Sequence, residues 1–141
     1  MAETTAPTTA ATTLHALIRA GAGEATALSS PGGVPLTFGR LRALTDRTIA
    51  ALNAQGIGRN DRVGIVLDNG PEMAAAFIAI GAGTTAAPLN PSYKADEFTF
   101  YLSDLNARLL VVAAGSESPA VAVAARLGVP VVRLTPTPAE G

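Results

Sequence analysis

Short apolar runs of strand length alternate with helix-like segments along most of this sequence, and this alternation limits the choice of fold more than any other feature. Four such runs occur, at residues 63–67, 84–88, 108–112 and 129–134. The intervals between them are long enough for helices, and helical crossovers connect parallel strands. A parallel sheet buries both of its faces under helices. The sequence therefore predicts an α/β fold with a Rossmann-like, layered parallel sheet and helices on both faces.

A helix and a β-hairpin are expected before this sheet. Leu14, Leu17 and Ile18 recur at helical spacing, and the glycine-rich stretch that begins at Gly21 ends the pattern. The turn-forming residues 30–33 (SPGG) then separate two short apolar runs, a pattern typical of a hairpin.

Two helix starts can be predicted from capping residues. Thr37 precedes a helix with apolar residues at helical spacing, and Gly56 stands where a left-handed C-terminal cap is favoured. Asn69 is expected to cap the helix at about residues 72–82. Because that helix is apolar nearly all round, it should be buried between layers.

Composition and charge exclude several classes of protein. The net charge of the 141 residues is -1, without a basic run that contains aromatic residues, so nucleic-acid binding is not expected. Cysteine is absent, which excludes disulfides and thiolate sites. Residues 1–13 lack the features of a signal peptide and are interpreted as a flexible tail, which favours a cytoplasmic protein. Glycine, proline and asparagine interrupt the uncharged interval 73–93, so we expect no membrane span.

No residue type in the sequence forms a strong catalytic motif. Lys94 is the single lysine and no glycine precedes it, which excludes a P-loop. Residues 81–83 (GAG) precede a strand and lack the third glycine of a dinucleotide fingerprint, so a helix stop is the better reading. His15 is interpreted as a surface residue rather than a base. Asp96 and Glu97 are adjacent and therefore diverge on a helix, where they suit the positive end of the dipole.

Three segments together resemble the N-terminal region of AMP-forming acyl-CoA synthetases, the adenylate-forming superfamily. They are LTFGRL (36–41), GIGRNDRVGIVLDNGPEMAAAFIAIGAGTTAAPLNPSY (56–93) and EFTFYLSDLNARLLVV (97–112). Within that family, the segment PLNPSYKADEFTFYLSDLNARLL is most similar to the oxalate-CoA ligase branch. Lys94 departs from the family, which often has a capping threonine at that position.

The resemblance implies a function and an incomplete domain. The expected full-length protein is an ATP-dependent acid-thiol ligase that converts a carboxylate, ATP and CoA into acyl-CoA, AMP and pyrophosphate through an acyl-adenylate. Oxalate, a small dicarboxylate, or a fatty acid would be the substrate. The phosphate loop and the C-terminal lysine of the family have no counterpart in this sequence. Residues 14–134 are therefore expected to be the first part of the AMP-binding domain, and 135–141 a linker at a truncation point.

On this reading no catalytic or metal-binding residue is assigned. ATP, Mg²⁺ and CoA would serve the full-length enzyme, with none bound to the fragment alone, which is expected to be inactive. The loop that contains Asn90, Ser92, Tyr93 and Lys94 supplies the candidate binding residues, because family carry-over places it towards the rest of the enzyme. Tyr101, like Tyr93, would be used in packing. The expected partners are the remainder of the N-terminal domain and the C-terminal lid, with self-association through an exposed sheet edge as a further option.

Two other readings stay open from the residues alone. One is a stand-alone binding or interaction module that keeps this scaffold without catalysis. The other is a small flavodoxin-like nucleotide-binding protein, although residues 67–71 (LDNGP) lack the hydroxyl- or glycine-rich phosphate loop that such a protein needs after its first strand.

Overall fold

The computed structural model describes residues 11–137, which form five helices and six strands. The helices are α1 Leu14–Ala20, α2 Phe38–Ala54, α3 Pro71–Gly81, α4 Ala95–Asp104 and α5 Pro119–Leu127. The strands are β1 Thr26–Leu28, β2 Leu36–Thr37, β3 Arg62–Val66, β4 Thr85–Pro88, β5 Leu109–Ala113 and β6 Val131–Leu134. The predicted tail (residues 1–13) and linker (residues 135–141) lie partly outside the described residues, which exclude 1–10 and 138–141.

The four later strands form one parallel sheet in the order β4-β3-β5-β6. Its register places Val63 beside Ala86 on one side and beside Leu109 on the other. Strands β1 and β2 make the predicted antiparallel hairpin ahead of it. The predicted α/β class, the parallel pairing and the leading helix and hairpin are therefore confirmed.

Side-chain alternation along the strands divides the core between the two faces of the sheet. One face packs with α2 and α3 through buried residues that include Val63, Ile65 and Val111. The other packs with α4 and α5 through residues that include Val66 and Val112. Successive side chains of a strand point to opposite faces, so a continuous apolar run such as VGIVL can fill both layers.

Helix α3 lies between the sheet and a third cluster of buried side chains. Ala76 and Ile80 pack on the sheet, whereas Ala75 and Ile78 contact the cluster of Ile18, Leu36 and Leu41. The predicted position of α3 between layers is thus correct, but of its residues only Ala76, Ala79 and Ile80 are fully buried. Phe77 is 42% exposed, and Pro71 and Glu72 at the start of the helix are exposed as well.

The start of α3 differs from the prediction. Gly70, not Asn69, is the N-cap residue, and no side chain caps the helix there. Asn69 is exposed. Pro71 takes the first helical position, where its missing N–H costs nothing, so the helix begins without the predicted side-chain cap.

The helices of residues 11–137 include none that combines the length and the apolar character needed to cross a bilayer.

Candidate functional site

The carboxyl ends of β3, β4, β5 and β6 share one edge of the sheet, because all four strands run in the same direction. Ligands of open α/β sheets bind at this edge. The loop of residues 89–94 leaves β4 there, beside the loop that begins after Val66, and the loop that begins after Ala113 lies one strand further along the edge. The candidate residues Asn90, Ser92, Tyr93 and Lys94 therefore do lie at the edge where a ligand is expected.

Asn90 and Ser92 belong to a tight turn. Asn90 Oδ1 accepts a hydrogen bond from the backbone N–H of Ser92 at 2.9 Å. The N–H of Tyr93 donates to the carbonyl oxygen of Asn90 at 3.1 Å. This is the turn chemistry that an Asn-Pro pair favours. Asn90 Oδ1 is thus used in shaping the loop, while both side chains remain on the surface.

Tyr93 is held against α4 by other aromatic rings. Its ring is stacked on Tyr101 with centroids 5.1 Å apart, and it meets the buried ring of Phe98 edge-on at 5.8 Å. The phenol of Tyr101, followed by partial burial and the charge of Glu97, raises the pKa of Tyr93 above its ordinary value. Both tyrosines are half-buried. The geometry agrees with the packing role that the sequence predicted for them.

Lys94 is the N-cap residue of α4 and its side chain is exposed. A lysine ammonium has no acceptor and cannot receive a helix N–H. Glu97 compensates in part, because its Oε2 accepts from the backbone N–H of Lys94 at 2.8 Å. Glu97 therefore has the helix-start role predicted for it, and Asp96 lies in the same first turn.

The loop after β5 is built in a similar way. Ser118 Oγ accepts from the N–H of Ala120 at 3.2 Å and caps α5. Ser116 Oγ accepts from the N–H of Ser118, and Arg133 Nη1 reaches the carbonyl oxygen of Ser116 at 3.4 Å. The hydroxyls of Ser116 and Ser118 are therefore engaged in a turn and a helix start.

These residues do not assemble a catalytic or metal centre. Lys94 follows one edge strand of the sheet and Arg133 lies in the other, and three strand spacings of about 4.8 Å separate those strands. Binding of a triphosphate requires several donors converging on one place. Between residues 11 and 137 there is also no group of three or more His, Asp or Glu that could hold a metal ion.

A cavity that sequence reasoning did not predict lies on the α2 and α3 side of this edge. Its volume is about 280 Å³. It is formed where the hairpin loop, α2 and the start of α3 meet the residues that follow β6; its lining includes Leu28, Val34, Leu36, Leu44, Thr48, Glu72, Ala79 and Thr135. The four candidate residues of loop 89–94 are not among its lining. The sequence could not predict this cavity, because its lining comes from segments about 100 residues apart in the chain.

His15 has a partner that the sequence did not reveal. Its Nε2 lies 3.2 Å from Asp46 Oδ1, and Arg19 Nη2 lies 3.2 Å from Asp46 Oδ2. These contacts join α1 to α2. The hydrogen bond from His15, together with the positive charge of Arg19, lowers the pKa of Asp46 below its ordinary value, against a smaller opposing effect of burial. The cluster is on the surface and fits a structural link between the helices, in line with the surface role predicted for His15.

Comparison with known proteins identifies relatives of most of this chain. Residues 17–139 match the family described as AMP-binding enzyme. The oxalate-CoA ligase of Arabidopsis thaliana is 40% identical over 111 residues, covering 77% of this chain and 22% of that protein. The probable CoA ligase CCL9 of Humulus lupulus is 35% identical over 127 residues, covering 87% of this chain and 24% of that protein.

The fold matches a solved structure as well. Apo MatB from Rhodopseudomonas palustris superposes with a TM-score of 0.74 over 86% of this chain and 25% of that protein, at 24% identity. The chain thus spans about a quarter of the length of each of these three proteins.

Proposed function

Since the chain belongs to the AMP-binding enzyme family, we propose that it forms part of the N-terminal domain of an AMP-forming acyl-CoA ligase. One observation carries the proposal: the 40% identity to an oxalate-CoA ligase over 111 residues. In the proposed reaction a carboxylate attacks the α-phosphate of ATP, which releases pyrophosphate and leaves an acyl-adenylate. The thiol of CoA then displaces AMP and forms the thioester.

The proposed role of residues 14–134 within that enzyme is structural. They supply a four-stranded part of the sheet and one wall at its carboxyl edge. The side-chain oxygens of Asn90, Ser118 and Glu97 there are used in a turn and in two helix starts. Transfer of the adenylyl group needs cations and amide donors around the phosphate. Residues outside this segment would have to supply them.

The proposed cofactors are ATP, Mg²⁺ and CoA. The donors in the described residues do not fit Mg²⁺, which prefers carboxylate and other oxygen ligands gathered in one place. The loop of Asn90, Ser92, Tyr93 and Lys94 remains the proposed contact with the rest of the domain, because it is exposed at the binding edge of the sheet. The remaining part of the N-terminal domain and the C-terminal lid are the proposed partners, and we expect the enzyme to act in the cytoplasm.

The proposed acyl substrate is a small dicarboxylate, oxalate, and a fatty acid is the alternative. The similarity to the oxalate-CoA ligase favours oxalate.

The direct test is an adenylation assay on two samples. The first is the 141-residue chain, and the second is the product of the native gene together with any separately encoded remainder of the fold. Pyrophosphate release is measured with ATP, Mg²⁺ and either oxalate or a medium-chain fatty acid. We expect oxalate-dependent release in the second sample and none in the first.

Isothermal titration of ATP and of CoA into the 141-residue chain completes the test. The proposal predicts no heat of binding for either ligand. Binding at micromolar strength by the chain alone, without pyrophosphate release in either sample, would instead support the stand-alone binding module.

A further inference from the structure

The two outer strands of the sheet differ in their free backbone groups. The N–H of Thr85 in β4 and the N–H of Leu89, just after β4, donate towards β3, to the carbonyl oxygens of Asp61 and Ile65. Alternate residues of a strand direct their backbone groups to opposite sides. The backbone groups of Ala86 and Pro88 are therefore directed away from β3, and Pro88 has no N–H to donate. The outer edge of β4 therefore lacks one of the donors that a regular strand pairing would use.

Strand β6 has an open edge. The carbonyl oxygens of Pro130 and Leu134 accept from Leu110 and Ala114 of β5 or just after it. By the same alternation, Val131 and Arg133 direct both their N–H and C=O groups away from β5. Within residues 11–137 no strand pairs with that side of β6.

The side chains of β6 do little to protect the edge. Natural edge strands are commonly protected by charged residues, proline or bulges. The one charged residue of β6 is Arg133, and its guanidinium is turned back to the carbonyl oxygen of Ser116 in the loop after β5. Val132, on the face shared with Leu134, is 37% exposed. The edge thus offers unpaired backbone groups beside an exposed apolar side chain.

We propose that β6 pairs in an antiparallel manner with β6 of a second copy of this chain, about a two-fold axis that passes midway between the two Val132 residues. In this register Val131 of each copy exchanges two hydrogen bonds with Arg133 of the other, four in all, and the two Val132 side chains lie directly opposite each other. The result is a continuous eight-stranded sheet. This inference concerns the chain itself and does not depend on the proposed ligase activity.

A second copy is favoured over an open chain of molecules because the two edges are unequal. Head-to-tail growth would require β6 to pair with the outer edge of β4, and Pro88 obstructs that pairing. An isologous contact between two β6 strands is closed and stops at the dimer. A four-residue strand buries less than the roughly 1,200 Å² of a stable interface, so the dissociation constant should be weak, about 10 μM to 1 mM.

The test places charged side chains at residue 132, next to the proposed two-fold axis. Sedimentation velocity of the 141-residue chain over a concentration series should show a reversible monomer–dimer equilibrium. Val132→Lys and Val132→Asp each set like charges opposite one another and should weaken the dimer at least about tenfold. An equimolar mixture of the two variants should restore a heterodimer. Phe100→Lys, at a side chain that is 62% exposed on α4, is the matched control and should leave association unchanged.

Hydrogen exchange of the unmodified chain gives a measurement that needs no variant. The amides of Val131 and Arg133 should become protected as concentration rises, whereas the outward amide of Ala86 on β4 should not. The proposal is overturned if the chain stays monomeric through the millimolar range, if both Val132 variants associate like the unmodified chain, or if the mixture forms no heterodimer. It is equally overturned if protection at Val131 and Arg133 does not depend on concentration.

Discussion

Arg62, the first residue of β3, donates a hydrogen bond through Nε to the carbonyl oxygen of Leu105 at 2.6 Å. This contact ties the start of a central strand to the end of α4, 43 residues later. Leu105 is the C-cap residue of that helix, where carbonyl oxygens lack helical partners. A partly buried charged donor is thus matched to an acceptor that the helix itself cannot satisfy.

Replacing Arg62 should therefore destabilise the fold. We expect Arg62→Met to lower the free energy of unfolding by about 1–3 kcal/mol, because the Leu105 carbonyl loses a charged donor. Urea denaturation measures the change. Arg59→Met, at an exposed neighbouring arginine, is the control and should stay within about 0.5 kcal/mol. Equal effects of the two substitutions would show that the Leu105 contact contributes nothing measurable.

The packing of the candidate loop on α4 can be measured through Phe98, whose side chain is fully buried. Phe98→Ala should cost about 3–5 kcal/mol, since it removes a ring from the core. A double-mutant cycle of Phe98→Leu with Tyr93→Leu should show a coupling of about 0.5–1.5 kcal/mol from the edge-on ring contact. Additive single effects would mean that the loop is not anchored by these rings.

Tyr93 should ionise above the ordinary tyrosine pKa of 10.0, because the Tyr101 phenol and burial disfavour its phenolate. The chain has two tyrosines and no tryptophan, so tyrosinate absorbance gives a clean titration. Tyr101→Phe leaves Tyr93 as the single reporter and should move its pKa towards the ordinary value. Tyr93→Phe is the reciprocal control. A raised folded-state pKa means that the stabilisation is present below pH 10 and lost as the pH rises through the shifted value.

The link between α1 and α2 should weaken in acid. The pKa of Asp46 is lowered from 3.8, so its ionised form is stabilised by folding. That contribution is fully present above the unfolded-state pKa and is lost as the pH falls through the folded-state value. The stability difference between the unmodified chain and Asp46→Asn should therefore shrink between neutral pH and about pH 2. A difference that is constant over this range would contradict the prediction; urea midpoints at each pH provide the measurement.

Thr45 contrasts with Arg62, because its polar group is buried without a hydrogen-bond partner in the described residues. It is 1% exposed, and its Oγ1 has no hydrogen-bond partner among the described residues. Thr45→Val keeps the shape and removes the desolvated hydroxyl, so it should raise stability by about 1 kcal/mol. Thr48→Val is the matched control on the same helix, because the Thr48 hydroxyl donates to the Leu44 carbonyl at 2.8 Å. Thermal melting should show a gain for Thr45→Val that Thr48→Val lacks.

The elements of this fold could be predicted because their signals are local. Continuous apolar runs marked β3 and β5, and Thr37 and Gly56 marked the start and the left-handed end of α2 that the structure confirms. The Asn69 prediction was wrong because the helix begins at Pro71, which makes Gly70 the N-cap residue and leaves Asn69 one residue too early. Capping preferences alone do not rank such neighbours.

Contacts between distant segments could not be predicted in the same way. His15 and Asp46 are 31 residues apart, and the cavity beside α3 combines four segments of the chain. Their proximity depends on how α1 and the hairpin pack on α2 and α3, which apolar patterning leaves undetermined. The position of the loop at residues 89–94 at the carboxyl edge of the sheet follows from strand direction alone, whereas the hydrogen bond from the Ser92 N–H to Asn90 Oδ1 could be seen only in the structure.

The order of strands in the sheet also has a consequence for how the protein is made. The first sheet strand to leave the ribosome is β3, and it ends in the interior with β4 on one side and β5 on the other. Each later strand can add to an edge that already exists, so assembly can follow translation without displacing any earlier pairing. Of these four strands β6 is synthesised last and is the outermost on its side, so the open edge of this part of the sheet is formed by its most recently made strand.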